Sequence, residues 1–235
     1  MAEAVSTVVS VLESYRGRDR MIRTLCYSCQ LIGGVITQKH GEKQQCGQSL
    51  LLVASQLSHC RTVLRLFDDL SMLAYSLQYG LGKKEKDCLI RWISVLGNIC
   101  DQLYYPCEHM AWAADAGVIR IKSDKWWIAS TALWGLSLTV GIIRSLRTLI
   151  KLQRSKGKHS EDDPPKSRGE IKFQMRSELL CIISCLSDLV NAIHWLPPGF
   201  LWGGRSPTWL VGLMGTISSA IGIYQTAVGG SSAGV

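Results

Sequence analysis

The residue types that most often carry chemistry are present in this chain, but they are poorly assembled for it. Cys26-Tyr-Ser-Cys29 has the spacing of a redox or metal-binding pair. No second CxxC follows and no βαβ pattern surrounds it, so both thiols fall on one helix face and read as core packing. Asp68 and Asp69 are adjacent, which turns their carboxylates in different directions on a helix and makes a poor acid–base pair. His59 and His194 sit in apolar helical runs, where a histidine is more often structural than a ligand. P-loop, GxSxG, HExxH and zinc-ribbon spacings are missing. The reading is therefore no catalytic centre, no cofactor site and no metal ligands. The remaining cluster is cationic. Arg16, Arg18, Arg20 and Arg23 stand together with only Asp19 opposing them. They are candidates for contact with lipid headgroups, and the alternative is a solvated helix start with an Arg–Asp pair. The net charge of +8 suits anionic lipid, and without a recognisable reading module it does not point to nucleic acid.

The elements that would have to position such groups look built for a membrane. Trp126 to Ile143 is uncharged between Lys125 and Arg144, and as a helix it is about 27 Å long, close to the hydrocarbon thickness of a bilayer. Trp126 and Trp127 stand at its start, where interfacial aromatics belong. A second uncharged stretch follows Pro207. The two predict spans over 126–143 and 208–228, with a short tail over 229–235. In the second span Gly212, Gly215, Ser219 and Gly222 belong to four-residue series of small residues, which let helices approach closely in lipid. Their partner is either the first span, where Ser137 and Gly141 are similarly spaced, or a second copy of the chain. Arg144, Arg147, Lys151 and Arg154 open a basic connecting loop over 144–207, and the positive-inside rule puts that loop in the cytosol. Within it, 170–196 reads as an amphipathic helix ended by Pro197-Pro198. Asp188 argues against a third span, because an intramembrane aspartate is costly.

Residues 1–125 read as a helical region, with no proline before Pro106 and no sustained strand-like alternation. Breaks are expected at Gly33-Gly34, from Gln38 to Gly47 and from Gly80 to Gly82. Helices are expected over 4–15, most of which lies outside the residues described below, and over 18–33, 48–79 and 86–104, with a further segment near 108–120. The helix over 48–79 has a wide apolar face that includes Leu57, Val63, Leu64, Phe67, Leu70 and Leu77. Such a face is covered either at the acyl–headgroup boundary, where it acts as a wedge that favours curvature, or by neighbouring helices of a bundle. The fold class is all-α: an integral membrane protein with an N-terminal helical, partly amphipathic region and two transmembrane helices.

Tyr15-x-Gly17-Arg18-Asp19-Arg20, with Arg23 and Tyr27, resembles the N-terminal signature of the peroxisomal membrane protein eleven family. The segments Leu57–Leu70, Leu103–Asp115, His194-Trp-Leu-Pro and Trp209–Ser219 look like the gamma branch of that family, and the likeness runs nearly end to end. The resemblance implies a multi-pass peroxisomal membrane protein, not an enzyme, that promotes membrane protrusion, elongation and fission through oligomerisation and shallow amphipathic-helix insertion. It implies four partners: the lipid membrane, further copies of the chain as a homo-oligomer, the alpha and beta isoforms, and the fission adaptor of mitochondria and peroxisomes. It further implies cytosolic termini and a lumenal connecting loop, against the charge rule. Basic residues beside a span, here Arg144, Arg147, Lys151 and Arg154, suit a peroxisomal targeting signal. Two rival functions stand beside this one. The first is an adaptor that recruits fission factors without bending lipid. The second is a small-metabolite pore, for which neither span supplies an ionisable lining residue.

Overall fold

The computed structural model describes residue 9 and residues 12–38, 44–83, 85, 87–158 and 165–232, and among these the regular structure is helical. From Tyr15 onward the helices are α1 (Tyr15–Gln38), α2 (Gln44–Arg65), α3 (Asp69–Tyr79), α4 (Cys88–Asp115), α5 (Asp124–Lys158), α6 (Pro165–His194) and α7 (Thr208–Ser232). They form two compact units. One comprises Met1–Asp68 with Pro197–Val235, and the other is Asp69–Leu196.

In the first unit α1 lies between α2 and α7 and packs on both. It runs antiparallel to α2: the Tyr15 hydroxyl donates to the Leu64 carbonyl at 2.6 Å, Arg61 donates to Asp19 at 2.9 Å, and the Cys26 thiol donates to the Ala54 carbonyl at 3.2 Å. The helix passes straight through Gly33 and Gly34, where a break was expected. The two glycines instead admit two neighbours. A Cβ at Gly33 would lie 2.9 Å from the Gly47 oxygen of α2, and one at Gly34 would lie 2.6 Å from the Trp209 nitrogen of α7.

In the second unit α5 lies between α4 and α6, and α3 leans on α4. Asp87 starts α4 as its N-cap, accepting from the Leu89 and Ile90 amides at 3.0 and 3.2 Å. The helix continues through Pro106 and joins the two segments expected over 86–104 and 108–120. It closes on Gly117, whose φ of 73° is the left-handed turn of a Schellman cap: the Gly117 amide reaches the Ala114 oxygen at 3.1 Å, and the Val118 amide reaches the Ala113 oxygen at 2.9 Å.

Three expectations are corrected. The single helix over 48–79 is two helices. At its break the Leu66, Phe67 and Asp68 amides bond three residues back, a tightened last turn, and Asp68-Asp69 then supply an N-cap residue and a first-turn acid for α3. The basic run after the first span is helix rather than loop, because Leu, Arg, Lys and Gln all favour continuation, so α5 reaches 35 residues, about 52 Å. And three helices, not two, are long and apolar enough to cross a membrane: Asp124–Arg154, Gly169–His194 and Thr208–Ala227. The objection to α6 was Asp188, but that side chain is only 7% exposed, so it faces protein and is not presented to lipid.

Candidate membrane-embedded seams and lipid-facing residues

The seam between α1 and α7 is built on small residues. Gly212 lies against the backbone of Leu31, and Gly215 lies against the ring of Tyr27, so closely that neither site has room for a side chain. Gly212 and Gly215 of the small-residue series therefore meet α1. Ser137 and Gly141, in turn, face the neighbours of α5: the Ser137 hydroxyl donates to Asp101 of α4, and Gly141 opens onto Cys185 of α6. Ser219 is buried and donates to the Gly215 carbonyl at 2.7 Å, whereas nothing lies within 4 Å of a Cβ at Gly222.

The arginine cluster divides along this seam. Arg23 donates to the Ser218 hydroxyl at 2.8 Å and lies 5.6 Å from the centroid of the Tyr27 ring. Arg20 donates to the Thr226 hydroxyl. Arg18 is exposed and donates to the Glu13 carbonyl at 3.3 Å, and Asp19 turns away to Arg61. The side chain of Arg16 lies outside the described residues. Two of the four candidate headgroup contacts thus touch α7, a role sequence spacing alone did not signal.

The seams of α5 are polar on one side and aromatic on the other. Toward α4, the Trp127 indole donates to Asp115 at 2.7 Å near one end, Ser137 meets Asp101 midway, and Arg147 and Lys151 reach Asp87 at 3.2 and 3.1 Å near the other. Toward α6, Trp134 stacks on Trp195 at 5.7 Å between centroids, and Gly135 opens onto Ala192. At Asp87 partial burial pushes the carboxyl up, but the hydrogen bonds from Lys151, the Ile90 amide and Arg147 outweigh it and hold the group down at about 2. Of the four basic residues singled out after the first span, Arg147 and Lys151 are held by Asp87, Arg144 is half-buried and Arg154 is exposed.

The expected insertion face is divided by the break. Leu57 and Leu64 are half-buried on α2, Val63 is at the exposed margin, and Phe67 stands in the turn after it, 74% exposed. In the other unit Leu70 and Leu77 of α3 are 77% and 74% exposed. Among the described residues no group of three His, Cys, Asp or Glu side chains could hold a metal ion.

A chain of this construction, all helix with apolar helices of membrane length and polar groups turned into their seams, is a multi-pass integral membrane protein. The chain belongs to the peroxisomal biogenesis factor 11 (PEX11) family, whose profile matches residues 5–227. It is 55% identical over 234 residues to peroxisomal membrane protein 11C of Homo sapiens, covering 98% of this chain and 97% of that one. It is 52% identical to the 11C protein of Mus musculus, covering 97% of each chain. To the 11B protein of Pongo abelii it is 26% identical, over 60% of this chain and 54% of that one, so the likeness is to the gamma, or 11C, branch. No solved structure matches the chain. Its location is the peroxisomal membrane, and its family is one of biogenesis factors, not a known enzyme family.

Proposed function

We propose that this chain, within the family's general role in peroxisome proliferation and division, promotes protrusion, elongation and fission of the peroxisomal membrane, and that it does so by self-association and shallow insertion of α3. The observation that carries this reading is that α3 buries none of its residues while presenting Leu70 and Leu77, 77% and 74% exposed. In an integral membrane protein, apolar side chains exposed to this degree have lipid as their natural cover. Covering a leucine side chain fully contributes about 1.5–3 kcal/mol, so two such residues can hold an 11-residue helix at the acyl–headgroup boundary. There α3 adds area to one leaflet, which favours curvature. The helix has no lysine or arginine, so its insertion draws on the apolar term and depends little on salt.

Lipid is the first partner. Further copies of the chain and the alpha and beta isoforms are the next. A fission adaptor completes the set. Both termini are read as cytosolic. What supports a common face for the two ends of the first unit is the hydrogen bond from Arg20, near the start of α1, to Thr226, near the end of α7.

The test replaces Leu70 and Leu77 with Asp in the full chain, expressed in cells lacking their own copy. The variant is expected to reach peroxisomes, bind its isoforms and leave the organelles round. Normal elongation by a variant correctly placed in the membrane would remove the insertion mechanism. That outcome would favour the adaptor reading, under which recruitment of fission factors suffices.

A further inference from the structure

One helix of the second unit has its polarity turned inside out, although it is not apolar enough to be recognised as a span. Between Cys88 and Ala114, every exposed position of α4 is apolar: Leu89, Trp92, Leu96, Ile99 and Leu103 form one stripe, and only Cys88 and Pro106 join them. The first five are between 46% and 52% exposed. The spacing of three and four residues puts them on one face, about 21 Å long from Leu89 to Leu103. The polar residues of the same stretch are on the other faces. Arg91, Asn98 and Asp101 are half-buried, and Glu108, 2% exposed, accepts a hydrogen bond from the Tyr104 hydroxyl at 2.6 Å. A helix bathed in water shows the opposite pattern.

What covers this stripe is indicated by the neighbour on the other side. α4 runs antiparallel to α5 over nearly its whole length, with contacts at both ends and in the middle: Asp115 with Trp127, Asp101 with Ser137, Gly97 beside Val140, and Asp87 with Arg147 and Lys151. α5 is a candidate span. Where α5 is at bilayer depth, Leu96 and Ile99 are at the same depth, one helix diameter away, with their side chains pointing outward.

We propose that α4 crosses the bilayer beside α5 and that its Leu89-to-Leu103 stripe is covered by lipid acyl chains. Of the polar groups that keep α4 from reading as a span, Asp101 is met by Ser137 of α5 and Glu108 by Tyr104 of α4 itself, which is how lipid-exposed helices keep polar groups satisfied. Trp92, with Arg91 5.3 Å from its ring centroid, then stands near the bilayer surface at the end where α5 turns basic. The turn that precedes α4 at Asp87 and the basic end of α5 at Arg147 and Lys151 share one face of the membrane, and the turn around Val118 lies on the other.

The inference rests on α5 being a span, so the experiment includes that as a control. The full chain is reconstituted in phosphatidylcholine vesicles with a genetically encoded fluorescent residue at Ile99, at Leu136 of α5, or at Val118, each read against lipids spin-labelled in the acyl chain and against aqueous iodide. Ile99 is expected to follow Leu136, quenched several-fold more by the acyl-chain label than by iodide, with Val118 reversed. Quenching at Leu136 without quenching at Ile99 overturns the proposal alone: iodide reaching Ile99 means water, and neither quencher reaching it means a protein partner. Failure at Leu136 overturns the span reading and the proposal together. In intact peroxisomes, tags at Lys83 and after Val118 are expected to differ in protease accessibility, and equal accessibility would also refute the crossing.

Discussion

The close approach of α1 and α7 can be tested with a single methyl group. At Gly34 an added Cβ would lie 2.6 Å from the nitrogen and 2.9 Å from the Cα of Trp209, and 3.1 Å from the Thr208 carbonyl carbon. All three are backbone atoms, so no rotamer change relieves the contact. Ordinary van der Waals contact begins near 3.4 Å, so the helices must separate by about 0.8 Å or more. A gap of that size forfeits a quarter to a half of the dispersion well along the seam, and overpacking of this kind costs about 1–3 kcal/mol. The same substitution at Gly222 meets nothing within 4 Å and gains about 0.5–1 kcal/mol of helix propensity. Gly34→Ala has the same propensity gain, so the difference between the two variants isolates the seam. It is expected to be about 1–3 kcal/mol in favour of Gly222→Ala. Thermal unfolding of the purified full chain in lipid nanodiscs, followed by tryptophan fluorescence, reads the order directly. Equal unfolding temperatures for the two variants would refute the close seam.

The clamp at Asp87 makes a pH prediction. A carboxyl depressed from 3.8 to about 2 in the folded state stabilises fully above 3.8 and loses that contribution as the pH falls through about 2, so the gap in unfolding temperature between the native chain and Asp87→Asn is expected to be the same at pH 5 and pH 7 and to close only in strong acid. Asn still caps α4, so a gap that shrank between pH 7 and pH 5 would mean that a group other than Asp87 controls this end. Replacing Arg144, Arg147, Lys151 and Arg154 together with Gln is expected to divert the protein from peroxisomes to other membranes in fluorescence microscopy, and unchanged localisation would remove them as a targeting signal.

The parts of the fold legible in the sequence are those where one physical term dominates. The uncharged runs starting at Trp126 and Thr208 stand out because lipid tolerates few alternatives to a long apolar helix. Where two terms compete, the sequence reads differently from the structure. Gly33-Gly34 looks like a helix breaker by propensity, yet each glycine is the only residue that fits between α1 and a neighbour's backbone or side chain. Asp188 looks unaffordable at membrane depth until α6 is seen to bury it. Asp68-Asp69, discounted as a catalytic pair, could have been read as an N-cap and first-turn acid, which would have placed the break before α3. For the candidate site, the small-residue series of α7 was visible, but its partner was not. Spacing reports that a close approach is possible, and only the fold shows that Tyr27 and Leu31 make it.

These competing terms bear on how such a chain could shape a membrane. A remodelling protein has to present apolar side chains to lipid without collapsing them onto one another, and rigid seams provide that separation. In the first unit the glycines of α1 and α7 lock the two helices backbone to backbone, leaving Leu25 and Ile32 on the outside of α1, 52% and 50% exposed. In the second, the contacts of Asp87, Asp101 and Asp115 with α5 hold α4 so that its apolar stripe faces outward. Polar pairs suit that purpose better than leucine packing would, because in lipid an apolar helix has little preference for a protein neighbour over an acyl chain, whereas an aspartate facing the serine of an adjacent helix does. The aspartates that make α4 look least like a membrane helix in the sequence are thus the ones that fix which of its faces meets lipid.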